Sequence, residues 1–119
     1  MDILNKIQKI KNALEDKKGE DIEVINVEGK TSIADYMVIC SGTSTPQIKA
    51  LVGEVEEVLQ RDGILPRHIE GYSNTATWVL MDYSDVIVHV FHVETRKFYD
   101  LERLFSDAAR IVPSRTDEN

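Results

Sequence analysis

The chain has 119 residues, a length that makes one domain able to bury a core of its own. Apolar residues make up 42% and charged residues 29%, which excludes a largely disordered chain. Lys plus Arg come to 14 and Asp plus Glu to 21, a net charge of −7. That balance disfavours phosphate backbones and anionic membranes and favours a basic partner.

The start, Met1-Asp2-Ile3-Leu4-Asn5, has no basic segment followed by an apolar one, so no secretion signal is expected. Residues 2–18 place Ile3, Ile7, Ile10 and Leu14 on one side, which predicts an amphipathic helix. Lys17 and Lys18 suit its negative end, and Gly19 suits the left-handed stop position. Residues 21–27, rich in Ile and Val, predict a strand closed by the turn Glu28-Gly29-Lys30. Residues 35–41 predict a second strand whose continuous apolar middle implies burial on both faces. Its lone Cys40 excludes an internal disulfide and any multi-cysteine zinc site, and reads as a small buried hydrophobe.

Gly42-Thr43-Ser44-Thr45 lies between strand and helix, where an anion can bind. It lacks the P-loop lysine and the dinucleotide glycines, so a turn plus helix cap is the expectation, with Thr45 as N-cap and Pro46 first in the helix. Ile48, Leu51, Val52, Val55 and Leu59 then give a helical stripe ending at Gly63. Residues 65–70 predict a short extended segment and residues 71–77 a polar loop. Two apolar runs, 78–81 and 86–91, flank Asp82-Tyr83-Ser84-Asp85 and predict a β-hairpin. Phe98, Leu101, Leu104, Phe105 and Ala108 predict a final helix from Thr95, ended by Pro113. The domain is thus expected over residues 1–112, with a mobile tail at 113–119. Interleaved helices and a mixed sheet make an α/β fold, and no apolar run is long enough to cross a bilayer. The expected address is the cytoplasm.

Candidate chemistry is sparse. Asp82 and Asp85, with the upstream Ser-Gly turn, are similar to the metal carboxylates of a nucleotidyltransferase. Those usually sit one residue apart on a strand, whereas these are three apart across a turn, where Asp is favoured anyway. His89 and His92 point to opposite faces of one strand, and His89 shares its face with Ile87 and Phe91, so a core histidine is expected. No nucleophile with a base and an orienting group is evident. Trp78 is either core or an interface anchor, and Tyr83, at a loop tip, has little core to enter. Trp78, Met81, Asp82, Tyr83 and Asp85 are therefore expected to form one exposed patch, with the aromatics as anchors and the acids acting through charge. Arg96, Tyr99, Asp100, Glu102 and Arg103 are expected on a solvated face or an interface rim.

Several segments together carry a family resemblance. Ser32-Ile33-Ala34-Asp35-Tyr36-Met37-Val38-Ile39, Ser41-Gly42-Thr43-Ser44 and Gln47-Ile48-Lys49-Ala50-Leu51 make the first blocks. The run from Trp78 to Phe91 and the run from Glu94 to Leu104 complete the set. In this order they resemble the bacterial ribosomal silencing factors of the Iojap-related RsfS family. The resemblance implies a nucleotidyltransferase-like core without catalysis or cofactor. It implies binding to large-subunit protein number fourteen, blocking of subunit joining and repression of translation when nutrients are short. It also implies a tendency to form a homodimer, which the hairpin aromatics, expected to be exposed, would serve by hiding in the contact; the acidic balance leaves no sequence-specific contact with nucleic acid expected. Phe105 stands where the family pattern has Trp, and Ser84 where it has a hairpin Gly, a position whose backbone angles Ser disfavours. The alternative is a small nucleotidyltransferase-like enzyme using Asp82 and Asp85.

Overall fold

The computed structural model describes residues 2–99. The expectations for Asp100, Leu101, Glu102, Arg103, Leu104, Phe105, Ala108 and Pro113, and for a boundary at residue 112, lie outside the described residues.

Helix α1 (Ile3–Asp16) begins where the Asp2 carboxylate accepts the Asn5 N–H at 2.9 Å, and it buries Ile7, Ile10, Ala13 and Leu14. It ends in a Schellman motif, with Gly19 N–H on the Leu14 carbonyl at 2.8 Å and Lys18 N–H on that of Glu15 at 3.0 Å. The left-handed residue is Lys18, at φ 66°, and not Gly19 as expected. Gly19 is instead required by space, since a Cβ there would stand 2.3 Å from Cys40 Sγ.

The chain continues as β1 (Glu20–Asn26), β2 (Tyr36–Gly42), α2 (Thr45–Gln60), β3 (His68–Glu70), β4 (Trp78–Asp82), β5 (Val86–His92) and α3 (Val93–Tyr99). The strands form one mixed sheet in the order β1-β2-β5-β4-β3. β2 and β5 are parallel and the other neighbours antiparallel. The α/β fold read from the sequence is the fold observed. Ser44, not Thr45, caps α2, accepting the Gln47 N–H at 3.2 Å, while the Thr45 hydroxyl donates to the Ala76 carbonyl. Pro46 therefore falls one position later in the first turn, where its missing N–H still costs no helical bond. The last helix starts at Val93, two residues earlier than its apolar spacing indicates.

Side-chain alternation divides the sheet into two faces. Val38, Cys40, Val79, Met81, Val86, Val88 and Val90 form a cluster with the apolar stripes of α1 and α2. Met37, Ile39, Trp78, Leu80, Ile87 and Phe91 form a second cluster with Val27 and Ala34. The register aligns the layers strand by strand, with Cys40, Val90 and Val79 in one row and Ile39, His89 and Leu80 in the next.

Candidate partner-binding hairpin

β4 and β5 are joined by Tyr83-Ser84-Asp85. Tyr83 N–H donates to the Val86 carbonyl at 2.9 Å, and Asp85 N–H to that of Tyr83 at 3.1 Å. Ser84 sits at φ 77°, a left-handed conformation that costs a non-glycine residue about 1–2 kcal/mol. The Asp82 carboxylate offsets part of this by accepting the Ser84 N–H at 2.8 Å. The turn is also anchored from outside. The Asp85 carbonyl accepts N–H groups from Asp35 and Tyr36, at 2.9 and 3.1 Å. Lys6 of α1 reaches the Asp85 carboxylate at 2.7 Å and the Tyr83 carbonyl at 3.4 Å.

The expected exposed patch requires correction. Trp78 is 8% exposed, Met81 0% and Tyr83 2%. They also lie on different faces: Trp78, Leu80 and Asp82 alternate with Val79, Met81 and the following Tyr83. Tyr83 leaves the turn and enters the core beneath the helices. There its hydroxyl is buried without a hydrogen-bond partner among the described residues, and burial, reinforced by Glu56, raises the phenol's pKa above its ordinary value. Asp82 is 6% exposed. Beside it, His68 places Nδ1 3.8 Å from the Asp82 carboxylate and Nε2 2.7 Å from that of Glu70. Of the five residues, only Asp85 keeps substantial access to solvent, next to the exposed Ser84.

The two aspartates do not converge on one point. Asp82 serves the turn backbone and His68, while Asp85 serves Lys6. Among the described residues no group of three His, Cys, Asp or Glu could hold a metal ion.

On the second face, the Trp78 indole N–H donates to His89 Nδ1 at 3.0 Å, and the indole packs on Phe91 with centroids 4.6 Å apart. His89 Nδ1 is thus an acceptor, so Nε2 carries the hydrogen and faces Met37 Sδ at 3.2 Å. Burial pushes His89 down to about 3, which keeps it neutral, as expected of a core histidine. Burial pushes the Cys40 thiol up to about 12, against a smaller opposing effect of Arg96. A thiol so held is a poor nucleophile. Trp78 also lines a hydroxyl-rich pocket of about 280 Å³ with Ser73, Thr75, Thr77 and Thr95.

Two residues matter that sequence reasoning missed or misplaced. Lys6 was one of several lysines on a polar helix face, and only the tertiary fold brings it to the hairpin. Arg96, expected on a solvated face, is 8% exposed and donates to the Asp21 carbonyl at 2.7 Å and the Ser41 hydroxyl at 2.9 Å. Its second nitrogen lies 3.6 Å from the Glu23 carboxylate, so it joins α3 to β1 and β2.

Residues 1–119 match the family model described as ribosomal silencing factor during starvation. A Halalkalibacterium halodurans protein named ribosomal silencing factor RsfS is 44% identical over 100 residues, 84% of this chain and 85% of that one. The Bacillus subtilis protein of the same name is 43% identical over 96 residues, 81% of this chain and 80% of that one. A crystal structure of a Chromobacterium violaceum protein superposes with a TM-score of 0.83 at 32% identity, covering 99% of this chain and 100% of that one. With matches of this extent in sequence and fold, the chain belongs to the ribosomal silencing factor (RsfS) family.

Proposed function

We propose that this protein silences ribosomes by binding the large subunit, through basic large-subunit protein number fourteen, and sterically preventing the small subunit from joining. The observation that carries this reading is the family match along the whole chain. The net charge of −7 supports a basic partner, mainly by speeding encounter. A body of 13.5 kDa placed at the joining face acts by exclusion and needs no bond chemistry. This favours the binding factor over the enzyme, whose two aspartates are each engaged in holding the hairpin. A ribosomal partner puts the site of action in the cytoplasm.

The tip of the hairpin is the part of the expected site open to that partner. Asp85 and Ser84 present it, Asp82 braces its backbone, and Trp78, Met81 and Tyr83 support it from the core. Self-association through exposed hairpin aromatics loses its rationale, because these aromatics are buried.

The test is sedimentation of the protein with separated subunits. It is expected to travel with large subunits and not small ones, and to lower the joined-ribosome peak when both are mixed. An undiminished peak at saturating protein refutes the silencing role. Asp85→Lys is expected to weaken binding several-fold at low salt, with less effect as salt rises.

A further inference from the structure

We propose that the outer edge of β1 is a docking site for an extended segment of alternating basic and apolar residues, which joins the sheet as an added strand. β1 ends the strand order, so among the described residues its one neighbour is β2. In an antiparallel pair alternate residues turn their N–H and C=O away from the partner, leaving a row of backbone groups along the outer edge. Such a row is the template used in strand addition.

The side chains along this edge specify what fits. β1 carries one extra residue between Glu20 and Glu23 relative to β2, with Asp21 at φ 49°. The bulge brings Glu20, opposite Ser41, and Glu23, opposite Ile39, to the same face of the sheet. Glu20, Asp21 and Glu23 are all exposed, and β1 contains no basic residue, Lys18 and Lys30 lying beyond its ends. Arg96 takes the Asp21 carbonyl and lies near Glu23, so the charge offered outward centres on Glu20 and the Asp21 carboxylate. On the opposite face Val24, paired with Val38, is 38% exposed. An added strand would therefore set basic side chains beside the acids and apolar ones beside Val24. A second copy of β1 would bring acids against acids, so the charges that hinder self-pairing select a basic strand. β2 and β5 separate this edge from β4, and the proposal does not depend on ribosome binding.

The test uses the full chain and three synthetic octapeptides. One alternates Lys and Val, one alternates Glu and Val, and one is the Lys–Val peptide N-methylated throughout, which keeps its charge and removes every backbone donor. Hydrogen exchange of the β1 amides is followed by NMR. The Lys–Val peptide is expected to slow exchange of outward-facing β1 amides by about tenfold or more at saturation. The methylated peptide is expected to bind at least about tenfold more weakly, and the Glu–Val peptide not measurably. Glu20→Lys should weaken the Lys–Val peptide several-fold. Unchanged β1 exchange at saturating peptide, or equal affinity for the methylated peptide, overturns the proposal.

Discussion

The two faces of the sheet bury polar atoms on different terms. Beneath α1 and α2 the core is almost entirely hydrocarbon, and the Tyr83 hydroxyl is left there without a partner among the described residues. On the second face Trp78, His89 and Met37 sit equally deep, but the indole N–H and both imidazole nitrogens have neighbours. Burial alone does not decide the cost of a polar group. An unpaired buried hydroxyl carries its full desolvation penalty, whereas a paired one recovers most of it. The second face also links β4, β5 and β2 through side chains, where the helix-covered face relies on packing.

The comparison breaks most severely at Trp78. Trp78→Ala removes the ring packed on Phe91 and the donor to His89, and is expected to cost about 3–5 kcal/mol, a large share of a domain's total stability. Urea unfolding measures it, and an unchanged midpoint would restore Trp78 to the surface. The next effect is acid sensitivity. The unfolded chain binds a proton on His89 near pH 6.5, whereas the fold resists until about 3. Between those values the unfolded state holds more protons, so stability falls as pH falls, by up to about 1.4 kcal/mol per pH unit from this group. His89→Gln is expected to flatten that part of the pH profile. Tyr83→Phe tests the other face in the opposite direction. Deleting an unpartnered hydroxyl is expected to leave stability unchanged or raise it by up to about 1 kcal/mol. A loss of more than that would show a bond formed in solution. The smallest effect is Asp85→Asn, which weakens a partly exposed pair with Lys6 and should cost less than about 1 kcal/mol.

The strands and helices were legible because each carries a clean period. The stripe from Ile48 to Leu59 and the run from Tyr36 to Ser41 both fall inside observed elements. His89 was legible as a core residue from the company of Ile87 and Phe91. The hairpin residues were misjudged by proximity in sequence, although the same period-two rule, carried past Asp82, places Trp78 and Tyr83 on opposite faces. The fate of Tyr83 also required knowing that helices cover that end of the sheet. Lys6 and Arg96 could not be read locally, because their partners are 79 and 75 residues away. Ser44 displaced Thr45 as N-cap because the Thr45 hydroxyl found the carbonyl of Ala76, 31 residues distant.

The contact between Gly19 and Cys40 makes two positions far apart in sequence share one volume. A methyl group at 19 would occupy the space of the sulfur, with Leu14 O and Leu51 Cδ2 each 3.1 Å from it. Gly19→Ala should therefore be harmful alone and milder in a Cys40→Ala background, so that the two substitutions are non-additive. The same geometry carries over to oxidation. Each oxygen added to the thiol enlarges a group already pressed against the backbone, and would have to lift the end of α1 from the sheet. Full burial and a thiol held protonated keep oxidants from that sulfur, so a cysteine chosen for its size is guarded by the same packing that its oxidation would break.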